Sequence, residues 1–315
     1  MITNSHRSSK KNLNRHIILP IICLVLGFFQ VSLGGLVRVT ESGLGCPSTG
    51  TAISEWPLCG GEIIPSFGYH VLIEYSHRLS GSILGIFIIV LLITTLRSDF
   101  YDRFTKQVAF LTFVLVIVAG ILGGIVVLTQ LEWWIRLIHL SVAEAILACL
   151  VIIIWKVAYL SKSPTNINES ITKSWIIKLS FLAVIIFCVL ISGSWVVGIG
   201  ATAVCTTWPF CGWKTGYPYD IHMLHRYLSG FALIYLTYIA LSLITKYSNG
   251  FFVKKSVHSA LGLIGIQIIL GALMVWGNFS PTLKGIHLSV ATLVWISTVF
   301  LIVSTIGMFK KNPKN

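Results

Sequence analysis

Residues 134–158 read WIRLIHLSVAEAILACLVIIIWKVA, with Arg136, Glu144 and Lys156 as the only charges. About 20 predominantly apolar residues suffice for a helix to cross a bilayer. Lipid offers no partner for a backbone N–H or C=O, and a helix satisfies both within one segment. The stretch therefore predicts a membrane-spanning helix that carries His139 near its start. Its hexapeptide IHLSVA, 138–143, recurs at 286–291. One segment thus decides the fold class and raises the question of what a duplicated histidine does.

The rest of the chain has the same character. Only 10% of its 315 residues are charged, against about 25% in a typical soluble domain. Mean hydropathy is +0.87. Apolar spans are predicted at roughly 17–37, 70–96, 107–128, 134–158, 175–197, 220–244, 257–276 and 285–308. The short alternating segments of a barrel are not seen. Lys10, Lys11 and Arg15 precede the first span, an arrangement that resembles a secretory signal. No small-residue cleavage site follows, so this span reads as a retained first helix.

An even number of spans puts both termini on one side. Arg38, Arg78, Arg136, Lys214, Arg226 and Lys284 fall on the other side, which leaves seventeen of the 23 Lys and Arg with the termini. The positive-inside rule then makes both termini cytoplasmic in a multi-pass protein of the cell membrane. The net charge of +13 follows from that bias and from contact with anionic headgroups. It needs no nucleic acid: no zinc-finger spacing, phosphate-binding glycine loop or DNA-binding element is present.

The duplication extends beyond the hexapeptide. EYSHRLSG (74–81) is matched by HMLHRYLSG (222–230), WPLCG (56–60) by WPFCG (208–212), and Gly123 by Gly271. His77 and His225 are 148 positions apart (225 less 77), as are His139 and His287 (287 less 139). The expected fold is an all-α, polytopic membrane protein with eight transmembrane helices. It is built as two parallel-repeated four-helix bundles, 1–160 and 173–315. The linker, 161–172, contains turn-forming SKSPTNINES (161–170) and is expected on the cytoplasmic side.

His77 and His139 each lie a few residues into a span that runs inward from the outer face. At 1.5 Å rise per residue, both sit about 8–11 Å below their helix starts. His225 and His287 repeat the arrangement. Two imidazoles facing across a bundle have the geometry of bis-histidine haem ligation. Intramembrane histidines can also simply hydrogen-bond neighbouring helices. Zinc and copper are further rivals, but they usually recruit three or four ligands. Each half offers two placed histidines, with no cysteine beside them in the spans, so haem is the favoured reading. Arg78 and Arg226 directly follow a histidine and suit haem propionates, though they can instead snorkel to headgroups. His70 and His258 read as interfacial, and His222 as a residue that tunes the second site or meets solvent.

The halves differ where Glu74 stands against His222, and Glu144 against Thr292. A carboxylate in a membrane pocket is costly unless used or paired. Glu74 shares a helix face with His77, at i and i+3, and could relay protons there. Its other reading is an ion pair with Arg78, at i+4. Four cysteines fall in outer loops. Cys46 with Cys59, and Cys205 with Cys211, is the simple disulfide connectivity outside the cytoplasm. Both pairs can staple loops over the bundle mouth, and the first can also cycle between thiol and disulfide. Trp56-Pro57 and Trp208-Pro209 would stiffen these caps.

Taken together, GLGCP with WPLCG, EYSHR, the two IHLS stretches and HMLHR resemble the haem A synthase family, from about Leu26 to the last span. The resemblance implies oxidation of the C8 methyl of haem O to a formyl group by successive hydroxylations, giving haem A for terminal oxidases. It implies that His77 and His139 bracket haem O, with Glu74 the catalytic acid. It implies that His225 and His287 ligate a cofactor haem b. Implied partners are a haem O synthase as substrate donor, a membrane electron donor such as a quinol, and cytochrome oxidase assembly; a homo-oligomer is compatible with it. One departure is the spacer STGTAISE between Cys46-Pro47 and Trp56-Pro57, longer than the family's by about six residues, which loop closure tolerates. Two other functions share some of these features. A diheme electron-transfer cytochrome, quinol-linked, would need the four histidines but not Glu74. A duplicated transporter would place polar residues along a path at the midplane.

Overall fold

The structure is a computed structural model that describes residues 2–46, 58–65, 67–160, 173–246 and 251–309. The linker 161–172 and the Trp56-Pro57 and STGTAISE stretches lie outside the described residues. The helices are α1 (Ile2–Val39), α2 (Tyr69–Arg97), α3 (Arg103–Leu128), α4 (Trp133–Leu160), α5 (Lys173–Gly198), α6 (Tyr217–Lys246), α7 (Phe251–Trp276) and α8 (Pro281–Phe309). All 8 are long and apolar enough to cross a membrane, so the chain is an all-α, multi-pass membrane protein. Several helices begin before the apolar runs that announce them, α3 at Arg103 and α7 at Phe251. Hydropathy marks only the part of a helix that suits lipid, and the helix continues beyond it. At α3 the start is set by Asp102, whose side chain accepts from Thr105 N at 2.8 Å.

The helices close into two rings. In the first, α1 packs on α2 and α4, α2 on α3, and α3 on α4. In the second, α5 packs on α6 and α8, α6 on α7, and α7 on α8. Each ring has its own apolar core: Ile88, Leu91, Leu150 and Ile153 in the first, Leu182, Leu236, Ile239 and Leu301 in the second. The rings join where α8 meets α4 and α1, and where α4 meets α5.

The backbone carries the duplication as well. α3 ends on two consecutive residues with left-handed φ, Gln130 (53°) and Leu131 (66°). α7 ends the same way, on Asn278 (50°) and Phe279 (55°). In each turn the second of these amides reaches back five residues, Leu131 N to Val126 O and Phe279 N to Met274 O, both at 2.8 Å. This 6→1 closure satisfies a helix-end carbonyl. It turns the chain directly into α4 or α8, about two turns before the histidine that each carries.

Candidate haem sites

The four sequence-predicted histidines gather into two pairs within the spans. His77 on α2 lies within electrostatic reach of His139 on α4, and His225 on α6 within reach of His287 on α8. Glycines make room for the rings. A Cβ at Gly34 would stand 3.0 Å from His77 Cε1, and one at Gly193 would stand 3.0 Å from His225 Cε1. These glycines hold the same place on α1 and α5. The imidazole therefore lies directly against a bare helix backbone in both halves.

The rings are poorly satisfied by protein. Among the described residues, Nδ1 of His77, His139 and His287 is buried without a hydrogen-bond partner. His225 Nδ1 is 3.0 Å from Ser192 Oγ. A buried polar atom normally has a partner. In each half, two half-buried imidazoles within reach of each other, cradled against a bare helix backbone, fit a group that takes two axial imidazoles, which is what a haem iron asks of a protein. Among the described residues no cluster of three or more His, Cys, Asp or Glu stands ready for a metal ion.

Above the first pair, Glu74 is 3% exposed. Its Oε2 accepts from Cys46 N at 2.7 Å, and its Oε1 from Arg78 Nη2 at 2.5 Å. Arg78 Nη1 in turn donates to Leu58 O at 2.5 Å. The Glu74–Arg78 unit thus grips both arms of the loop closed by the Cys46–Cys59 disulfide. Close approach makes this possible: a Cβ on Gly45 would lie 2.4 Å from His70 O, so only glycine lets the loop settle on the start of α2. His70, exposed, is tied to Ser42 Oγ at 2.9 Å and stands apart from the pair.

The second half repeats the grip with different chemistry. Arg226 Nη1 donates to Thr207 O (2.6 Å) and Pro209 O (3.0 Å), and its Nη2 to Cys205 O (3.3 Å). These carbonyls belong to the loop closed by Cys205–Cys211. His222, at Glu74's position, donates through Nδ1 to Ala201 O at 2.9 Å. In the first half an acid thus receives a backbone N–H, and in the second an imidazole gives to a backbone carbonyl. His258 caps its own turn through Lys254 O at 2.6 Å, away from both pairs.

Glu144 sits between the halves rather than in either site. It is 1% exposed, and its Oε1 accepts from Thr292 Oγ1, its own counterpart in the repeat, at 2.7 Å. Trp295 Nε1 donates to the Glu144 carbonyl at 2.8 Å. Elsewhere between the halves, Arg38 Nη2 reaches from the end of α1 to Val197 O at the end of α5 at 2.7 Å. Sequence reasoning missed two pocket residues, Gln30 on α1 and Gln267 on α7, which contact His77 and His287. Their only signal was a lone amide in an apolar span.

Residues 18–301 match the family described as cytochrome oxidase assembly protein. A heme A synthase of Exiguobacterium sibiricum is 30% identical over 260 residues, 81% of this chain and 83% of its own. One from Halalkalibacterium halodurans is 32% identical over 223 residues, 69% of this chain and 72% of its own. One from Lysinibacillus sphaericus is 28% identical over 284 residues, 87% of this chain and 90% of its own. With the match running through all eight helices and both histidine pairs, the chain belongs to the cytochrome oxidase assembly protein family.

Proposed function

We propose that the protein is a haem A synthase, an oxidoreductase that converts the C8 methyl of haem O to a formyl group by successive hydroxylations. The observation that carries this reading is two pseudo-equivalent pairs of half-buried imidazoles, only one of which has an acid above it, in a chain resembling heme A synthases over most of its length. The first unit, 1–160, holds the substrate haem O between His77 and His139. The second, 173–315, holds a resident haem b between His225 and His287. Bound haem supplies the redox chemistry that side chains lack.

This chain's residues do the rest. The histidines orient the macrocycle between helices, and the glycines beneath them set its depth. The gripped loops cover the outer mouth and keep water from it. Glu74 holds or passes a proton at its carboxylate, one turn from His77. Arg78 and Arg226, beside the ligands, would also offer positive charge to propionates, with the disulfides Cys46–Cys59 and Cys205–Cys211 bracing the loops they hold. Both termini face the cytoplasm. Substrate comes from a haem O synthase, electrons from a membrane donor such as a quinol, and the product goes to cytochrome oxidase assembly.

The test is haem extraction and mass analysis of membranes that express the protein with a supply of haem O. Haem A is expected in the extract, and its absence, with haem O intact under oxygen and reductant, refutes the reading.

A further inference from the structure

Each histidine pair has one glutamine against it, and the two glutamines choose opposite members. Gln30 Nε2 lies 3.0 Å from the carbonyl oxygen of His77 and 3.5 Å from its ring Nε2. Gln267 Nε2 lies 3.0 Å from the carbonyl oxygen of His287 and 3.2 Å from its ring Nε2. The motif is the same, but the helices are not equivalent. Gln30 is one turn before Gly34 on α1, and the matching place before Gly193 on α5 is Val189. Gln267 is one turn before Gly271 on α7, and the matching place before Gly123 on α3 is Ala119. Duplication alone would have put both amides on the same helix. Each half has instead acquired one of its own.

The chemistry fixes the direction of these contacts. A backbone carbonyl only accepts, so the group facing it is the amide NH2. The same NH2 faces the imidazole nitrogen, which must therefore accept through its lone pair. The ring proton then sits on Nδ1. Ser80 Oγ donates to Gln30 Oε1 and anchors the first amide further.

The lone pair so engaged is the one an iron takes. We propose that Gln30 and Gln267 are stand-ins for the metal, each holding the lone pair of one axial histidine while its pocket is empty and yielding it when haem enters. The proposal rests on the haem reading above. A lone pair buried at membrane depth has no water to turn to, and leaving it unpaired is costly. The amide removes that cost from the empty pocket only. Haem therefore binds less tightly and leaves faster than it would at a bare imidazole. In the first half, where substrate enters and product leaves, this keeps the site exchangeable. In the second it eases loading.

The experiment uses the full chain in detergent, stripped of haem and titrated with iron protoporphyrin IX. Absorbance follows binding, and transfer to excess apomyoglobin follows release. Gln30→Leu is expected to tighten one of the two sites by about two- to tenfold, the worth of one neutral hydrogen bond, and to slow release from it. Gln267→Leu should do the same to the other site. Ser80→Ala, which frees the Gln30 amide and also removes the Ser80 bond to His77 O (3.1 Å), should shift the first site in the same direction by less, and it decides the matter if Gln30→Leu does not fold. Unchanged or weaker binding in these variants overturns the stand-in role. A wild-type chain that binds no haem overturns the haem reading itself, so the two failures are distinct.

Discussion

Replacing Glu74 by glutamine separates the two things that this residue does. The carboxylate accepts from Cys46 N and from Arg78, at 2.7 and 2.5 Å, and the Arg78 side chain is 9% exposed. A carboxamide keeps one oxygen for the Cys46 amide and nearly the same shape. It loses the charge, and with it a charged hydrogen bond worth about 1.5–3 kcal/mol. Glu74→Ala is harsher: it leaves a buried guanidinium uncompensated, at about 3–5 kcal/mol, and frees one arm of the disulfide loop. If Glu74 only gripped the loop, the glutamine variant would retain most of its yield of haem A while the alanine variant lost it. If Glu74 handles a proton during the reaction, both fall together, by about 10²–10⁴-fold, as for other general acids and bases. The assay is extracted haem by mass, with bound haem per chain measured on the same samples. The account predicts haem O accumulating in Glu74→Gln at full haem occupancy. Wild-type yield of haem A in Glu74→Gln would refute a catalytic role and leave the residue as a loop clasp.

Gly34→Leu should empty the first site and Gly193→Leu the second, because in each a Cβ already stands 3.0 Å from an imidazole and a longer side chain displaces it. Haem per chain should fall by about half in either variant, and full occupancy would contradict the packing argument. On the other side of the membrane, burial works to raise the pKa of Asp102, but hydrogen bonds from Lys156 and Thr105 override it and hold the group at about 2. A depressed carboxylate stabilises the fold above its unfolded pKa, about 3.9, and that contribution disappears as pH falls from there through about 2. Asp102→Ala should therefore cost about 0.5–2 kcal/mol at neutral pH as a lost helix cap. Its stability should also vary less than the wild type's over that acid window, as followed by denaturant unfolding with helical circular dichroism.

Much of this architecture could be read from the chain because lipid simplifies the problem. Each span must be helical and apolar, so WIRLIHLSVAEAILACLVIIIWKVA announces α4 without any knowledge of its neighbours. Histidines in such runs stand out, and their equal spacing marks two pairs; the fold brings His77 within electrostatic reach of His139 and His225 within reach of His287. The Glu74–Arg78 contact was legible too, since i and i+4 meet on any helix. What the sequence could not supply were partners brought from elsewhere in the chain. Nothing local says that Glu74 also receives the amide of Cys46, or that Arg78 and Arg226 hold loop carbonyls. On α4 alone, Glu144 reads only as a membrane carboxylate open to a structural hydrogen-bonding role. Only the packing of α4 on α8 turns it toward Thr292, its own counterpart. Gln30 and Gln267 were invisible for the same reason, being polar residues whose meaning lies on another helix.

The central claim is one haem per histidine pair, and counting bound haem tests it most directly. Full-length protein loaded with iron protoporphyrin IX should carry two haems, both low-spin with two imidazole ligands. His139→Ala should remove or convert only one of them, and His287→Ala only the other, with the remaining signal unchanged in each. Two fully ligated haems in either variant, or loss of both from a single substitution, would contradict the account.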